Sequence, residues 1–251
     1  MVQQTTVDIL GTFNGKDDSH TRMDNDAKAP AATTMTASMV RRSKAAWRKA
    51  AVSRRLRTTV EERLQAGTAL AQQARRNHLI HSFTTVAAFV SMGSEIAMAP
   101  LLRTLFGCNC EVLVPRLGNG LDIGWSELES LDDLRSQRNP DGSVNGRRPQ
   151  EPDNPSEGPA SIAKAGLIIV PALAVDRNGF RLGRGGGWYD RALEYRTTGA
   201  RVVAVCWPWE LIDRTVPHEP HDIPVDGALT PTGFSWFSPM ERRDGPSQGT
   251  Y

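Results

Sequence analysis

From residue 41 onward the chain alternates between amphipathic stretches and short runs that are apolar throughout. Trp47, Ala51 and Leu56 recur at helical spacing and predict a helix from near Arg41. Thr58 and Thr59 interrupt it, and Glu61 and Glu62 suit the positive end of a second helix. Val60, Leu64, Ala71 and Ala74 mark that helix's expected apolar face. "TTVAAFV" (84–90) predicts a buried strand, "EIAMAPLLRTLFG" (95–107) a helix stopped by Gly107, and "EVLVP" (111–115) a second buried strand. Further on, the pattern predicts a short helix near 159–165 and a strand "GLIIVPALAV" (166–175). A helix over 188–196, a strand over 201–207, and a last short helix and strand over 209–230 follow. Apolar strands without alternation, separated by helices, predict an open, mostly parallel α/β sheet with helices on both faces. Such sheets bind ligands at the carboxyl ends of their strands.

Three stretches fall outside this pattern. Residues 1–38 are polar, without sustained periodicity, and are expected to be a disordered N-terminal extension; Met35 and Met39 stand as alternative starts just before the first helix. Residues 133–158 concentrate Pro, Gly, Asn and charge and predict a long surface loop, a feature often functional in compact domains. Residues 238–251 are expected to be a flexible tail, which leaves 39–237 as a single domain.

Composition narrows the class. Apolar residues make up 39% of the 251, enough for a core, while a mean hydropathy of -0.40 reflects the polar tails. Thirty basic against 28 acidic residues give no general affinity for polyanions, so no nucleic-acid partner is expected. No run of 18 apolar residues occurs, so no transmembrane helix is expected. The N-terminus has no apolar signal core, and Asp8, Asp17, Asp18, Asp24 and Asp26 argue against a transit peptide. Cys108, Cys110 and Cys206 are an odd, sparse set that fits a reducing cytoplasm, with small buried thiols preferred over a metal site.

The candidate chemistry concentrates in "GFRLGRGGGWYDRAL", Gly179 to Leu193. Four glycines in five residues cost about 0.5–1 kcal/mol each relative to alanine in regular structure, so the segment needs a reason. Backbone N–H groups in such a turn converge on an anion, and Arg181 and Arg184 add donors suited to phosphate. Asp190 follows three residues after Gly187, where a carboxylate beside phosphate would hold Mg²⁺. The spacing also admits a tight strand-to-helix connection in which Asp190 is only a helix N-terminal charge. Elsewhere, His218, His221 and Asp222 suggest a transition-metal site, which Pro220 disfavours, or a proline-bounded loop carrying Asp222 to the same face. Glu95 opens a predicted helix and either faces the cleft or pairs with the helix dipole; Lys44 and Arg48 share one helical face and, taken alone, read as a solvated basic patch.

Taken together these residues resemble the 5-formyltetrahydrofolate cyclo-ligase (5,10-methenyltetrahydrofolate synthetase) family. That family's hallmark is Arg-Leu-Gly-x-Gly-Gly-Gly-x-Tyr-Asp-Arg after an apolar strand with a Pro, and "VPALAVDRNGFRLGRGGGWYDRAL" (170–193) is similar to it. "KAAWRK" (44–49), "FVSMGSEIAMAPLL" (89–102), "VLVPR" (112–116), Glu151-Pro152 and "VPHEPHDIPVDGALT" (216–230) match in order, so the resemblance spans about residues 40–232. It implies the open α/β fold shared with sugar-phosphate isomerases and CoA transferases. It also implies ATP- and Mg²⁺-dependent cyclisation of 5-formyltetrahydrofolate to 5,10-methenyltetrahydrofolate, with release of ADP and phosphate.

By position, the resemblance assigns Lys44 and Arg48 to the ATP phosphates, and Val90 and Glu95 to the folate. Arg181, Leu182, Gly183, Arg184, Gly185, Gly186, Gly187, Trp188 and Tyr189 would form the nucleotide wall, of which Arg184 to Trp188 also face the folate. Asp190 and Asp222 would hold Mg²⁺, with Arg181 and Asp190 as the catalytic pair. Two residues depart from the family pattern: Arg184 where an aromatic is usual, and Trp188 where tyrosine is usual. The expected partner is the small-molecule folate, with or without a polyglutamate tail, and the expected state is a monomer. Competing expectations are a sugar-phosphate isomerase or CoA-transferase-like enzyme on the same fold, or a folate- or nucleotide-binding protein without turnover.

Overall fold

Seven strands form the central sheet of the computed structural model, which describes residues 37–81, 84–117 and 122–237. Helices α1 (Ala37–Arg55) and α2 (Val60–Arg76) precede β1 (Thr85–Ala87), α3 (Ala99–Gly107), β2 (Glu111–Pro115) and β3 (Trp125–Glu127). The short strands β4 (Leu134–Arg135) and β5 (Glu151–Pro152) come next, then β6 (Leu167–Pro171), β7 (Ala174–Asp176) and β8 (Arg181–Leu182). After these come α4 (Trp188–Leu193), β9 (Arg201–Val205), β10 (Leu211–Ile212), β11 (Gly227–Thr230) and β12 (Gly233–Trp236). Three 3₁₀ turns complete the described set, at Leu131–Asp133, Pro159–Lys164 and Pro208–Glu210.

The sheet order is β12-β11-β9-β6-β1-β2-β3, parallel from β11 to β2, with β3 and β12 antiparallel at the edges. Alternate residues of each inner strand enter opposite cores. Val86, Val112, Val114, Ile169, Val203, Val205 and Leu229 meet α2 and α3 on one face. Ala87, Leu113, Ile168, Val170, Val202, Ala204 and Ala228 meet Ile162, Ala192 and Leu193 on the other. Two-sided burial is why these strands are apolar through their centres, with Glu111 and Arg201 only at strand starts, and the open α/β expectation holds.

Several elements differ from the sequence expectation. The 166–175 run is two strands, because the chain leaves the main sheet after Pro171; β7 joins β10 and β8 in a separate three-stranded sheet. The helix expected from residue 95 begins only at Ala99, with Pro100 in its first turn, a position that needs no N–H partner. Residues 37 and 38 are already helical, whereas the rest of the expected N-terminal extension and the 238–251 tail lie outside the described residues. The 133–158 segment is organised by the β4–β5 pair and an Arg138–Val144 bridge.

α2 is started by a reciprocal cap: Thr59 accepts from the Glu62 amide while the Glu62 carboxylate accepts from the Thr59 amide. Its buried face is Ala66, Gly67, Leu70, Ala71 and Ala74, and Val60 stands 74% exposed. A Cβ on Gly67 would lie 2.0 Å from the Ala97 carbonyl oxygen, so small residues set how closely this helix approaches the 97–100 segment. On α1, the inward residues are Lys44, Trp47, Arg48, Ala51, Val52 and Arg55, whereas Leu56 is 71% exposed. Trp47, Ala51 and Val52 pack against Leu173, Ala174, Leu182 and Val216. Arg55, not Leu56, closes this face: its guanidinium donates to both Glu210 carboxylate oxygens at 2.7 Å and to the Ala172 carbonyl. No helix among the described residues is long and apolar enough to cross a membrane.

Candidate active site

A cavity of about 400 Å³ opens at the carboxyl ends of β1, β2 and β6, where Val90, Pro115 and Ala172 contribute to its wall. Its size suits a small-molecule site. Every residue that the resemblance assigned to a ligand lines it: Lys44, Arg48, Val90, Glu95, the run Arg181 to Asp190, and Asp222.

The glycine loop reaches the cavity on the β7–β8 hairpin and ends at α4, where Gly187 caps the helix with φ +61°. Gly185 adopts φ +106°, a conformation L side chains rarely take, and a Cβ there would meet the Arg48 guanidinium at 3.3 Å. Arg48 Nε donates to the Gly183 carbonyl at 2.9 Å and thereby ties α1 to the loop. Among the described residues, the amides of 183–187 donate no hydrogen bond to a protein acceptor. These donors are open at the cavity and so are available to an anion. α4 has six residues, so its N-terminus adds little beyond those amides.

Behind the loop, Arg181 Nη2 donates to Asp190 Oδ1 at 2.8 Å; the Arg181 side chain is 4% exposed and that of Asp190 20%. Arg181 Nε is buried without a hydrogen-bond partner. Tyr189 packs under this pair, its ring 6.0 Å from the Arg181 guanidinium carbon. Burial pushes the Tyr189 phenol far up, the Glu95 charge adds to this and Arg181 opposes it, so the phenol is neutral. Trp188 Nε1 donates to the Asp122 carbonyl at 3.0 Å, and its ring stands edge-on to Trp125.

Lys44 is buried and is not part of a solvated basic face. Its ammonium pairs with Asp222 and, at 3.1 Å, with Glu219, which also accepts from Arg41 at 3.3 Å. Partial burial works against ionising Asp222, but the Lys44 bond and the Glu219 amide outweigh it and hold its carboxyl below the usual range. The Lys44 bond chiefly lowers Glu219 as well.

Across the cavity, Glu95 belongs to a tight turn before α3 and not to the helix N-terminus. Its Oε2 accepts from the Met92 amide at 2.9 Å, and its Oε1 from Arg184 Nε at 3.0 Å. The dipole-pairing alternative therefore fails: the Glu95 carboxylate faces the cleft.

Asp190 and Asp222 both line the cavity, and Asp190 Oδ2 accepts no hydrogen bond among the described residues. Mg²⁺ is commonly held by one or two carboxylates plus phosphate oxygens and waters, so this donor set fits the ion in company with a nucleotide. No cluster of three His, Cys, Asp or Glu that would hold a metal by itself occurs among the described residues. His218 stacks on Phe180 at 3.6 Å, a packing role. Cys110 and Cys206 are buried thiols, as expected, whereas Cys108 is only half-buried.

Some cavity residues were not anticipated. Arg147 and Pro149, from the 133–158 segment, reach the rim. Glu219 is the second acceptor of Lys44, and the Arg55–Glu210 pair anchors the wall at Ala172. Glu219 lies three residues before Asp222 in a proline-bounded segment, the one signal that pointed to it.

The fold and cavity define an open α/β protein whose glycine-rich loop lines a cavity at the carboxyl edge of a parallel sheet. A model of the 5-formyltetrahydrofolate cyclo-ligase family matches residues 40–231. The 5-formyltetrahydrofolate cyclo-ligase of Mycolicibacterium smegmatis is 37% identical over 180 residues, 70% of this chain and 88% of its own. That of Mus musculus is 29% identical over 189 residues, covering 72% and 90% respectively. In fold, the chain resembles the 5,10-methenyltetrahydrofolate synthetase of Aquifex aeolicus, with a TM-score of 0.63 at 24% identity over 83% of this chain and 97% of that one. The chain belongs to the 5-formyltetrahydrofolate cyclo-ligase family.

Proposed function

We propose that the protein cyclises 5-formyltetrahydrofolate to 5,10-methenyltetrahydrofolate, consuming ATP with Mg²⁺ and releasing ADP and phosphate. The observation that carries this is the convergence of Lys44, Arg48, Glu95, Arg181 and Asp222 with the whole glycine loop on one cavity, in a chain of this family. The formyl oxygen leaves poorly from an amide. Transfer of the γ-phosphoryl group to it forms an O–P bond and makes it a leaving group; N10 then attacks the carbon, loses its proton, and phosphate departs. Phosphoryl transfer is chiefly positioning and charge neutralisation. The amides of 183–187 and Arg48 cradle phosphate oxygens, and Lys44 exchanges its carboxylate partners for them. Arg181, buried with Nε unpartnered, holds Asp190 in place and faces the transferring group. Mg²⁺, held by Asp190 and Asp222, supplies further neutralisation of phosphate charge. Glu95 accepts from the pterin N–H edge, and Val90 and Trp188 give apolar surface to the ring.

The proposed unit is residues 39–237, acting as a cytoplasmic monomer on folate with or without a polyglutamate tail. Mixing protein, Mg-ATP and 5-formyltetrahydrofolate tests the activity through the absorbance of the methenyl product. Absence of product at high enzyme concentration refutes it.

A further inference from the structure

Arg184 stands among the loop glycines, yet its guanidinium is engaged on the opposite wall. Nε donates to Glu95 Oε1 at 3.0 Å and Nη2 to the Met92 carbonyl at 3.4 Å. Glu95 is buried, whereas the Arg184 side chain is 47% exposed. The ion pair therefore bridges the cavity from the glycine loop to the turn before α3. Glu95 Oε2 is already committed to the Met92 amide, which leaves Oε1 as the oxygen a ligand must win. The pyrimidine edge of a pterin carries a ring N–H and an exocyclic NH₂ on one carbon. That is the planar N–C–N donor arrangement of a guanidinium.

We propose that Arg184 is an internal stand-in for the pterin edge: it occupies Glu95 in the free protein and is displaced by the folate. The inference rests on the folate reading of the site and adds a specificity-determining residue to it. A guanidinium on this carboxylate keeps the buried charge of Glu95 compensated while the cavity is empty. On displacement, the half-exposed Arg184 regains water easily, since little of it was desolvated. A ligand without a guanidine-like edge forms no equivalent bond to Oε1 and leaves the latch closed. Folate affinity is reduced by the fraction of molecules in which the latch is shut.

Calorimetric titration of 5-formyltetrahydrofolate, without ATP, into the wild type and R184A tests this. The side chain sits on an exposed loop, and a cooperative thermal transition in both proteins checks that R184A folds, even where loss of the Glu95 partner lowers its midpoint. R184A is expected to bind about fivefold more tightly, the scale of one partly exposed ion pair. Millimolar guanidinium chloride should weaken folate binding to R184A back toward the wild-type value, while equal sodium chloride does not. A purely structural role of Arg184 would not produce that rescue. Equal or weaker binding by R184A, or indifference to guanidinium, overturns the latch. If the wild type binds and cyclises folate in those cases, the proposed function stands without it. A wild type that neither binds the folate nor forms product refutes the function itself, and the latch with it.

Discussion

Replacing Asp190 by asparagine keeps the shape of the side chain and the acceptor oxygen facing Arg181 but removes the charge. Arg181 is almost fully buried, with Asp190 2.8 Å away as its anionic partner and Nε already unpartnered. Hydrogen bonds to charged groups contribute about 1.5–3 kcal/mol. Since asparagine retains an acceptor, Asp190→Asn should destabilise the fold by about 1–2 kcal/mol. Domains of ordinary stability hold about 5–15 kcal/mol, so nearly all the variant stays folded at 25 °C. Losing one preorganised electrostatic group at phosphoryl transfer commonly lowers the rate by about 10²–10³, roughly 3–4 kcal/mol. Thus the expected rate loss exceeds anything unfolding could produce. Urea unfolding followed through the six tryptophans measures the first quantity, and methenyl absorbance at saturating Mg-ATP the second. Turnover within a few-fold of wild type would refute the assignment of Asp190 to the reacting phosphate and its ion.

Gly185→Ala places a Cβ at φ +106° and 3.3 Å from the Arg48 guanidinium. It should cost about 1–3 kcal/mol of local strain and raise the KM for ATP more than that for folate; equal effects on both would argue against a phosphate cradle. Arg55→Met leaves Glu210 buried without its cation and should destabilise by about 3–5 kcal/mol in urea, whereas a loss under 1 kcal/mol would mean water reaches the pair. Asp222 and Glu219 have folded pKa values held below their unfolded ones. Their contribution is therefore complete above the unfolded carboxylate pKa of about 4 and is lost as pH falls through the lower folded values. Urea midpoints from pH 6 down to pH 3 should drop less steeply in Lys44→Met than in the wild type; parallel curves would remove Lys44 as the cause.

The site was more legible in the sequence than the packing around it. The glycine loop is a local signal: at Gly185 and Gly187 the positive φ angles, +106° and +61°, strongly favour glycine, so the requirement is written at those positions themselves. The inner strands were legible because two-sided burial demands apolar residues throughout. The face of α2 was half legible: Ala71 and Ala74 are buried as predicted, whereas Val60 and Leu64 are exposed, since the face is chosen by approach distance. A helix that brings Gly67 against Ala97 buries alanines beside Leu70 and turns Val60 outward, an order that hydrophobicity alone does not give. Leu56 failed for a related reason: Arg55 is the buried residue because Glu210, 155 positions away, receives it. Partners so distant leave no periodicity, and Glu219 and Arg147 escaped notice likewise. The break after Pro171 was hidden because both halves of the run are buried, in different sheets.

α1 supplies Lys44 and Arg48 to the cavity yet adds nothing to the two cores that flank the main sheet. It rests on the small cluster around Leu173 and Val216 and is fastened by ionic contacts at both ends. Elements attached in this way open independently of the sheet and well below the global unfolding energy. The cavity wall that carries Lys44 and Arg48 is thus assembled whenever α1 docks and dismantled whenever it lifts. Amide hydrogens of α1 should exchange ahead of those in β6 and β9, and slow when nucleotide is bound.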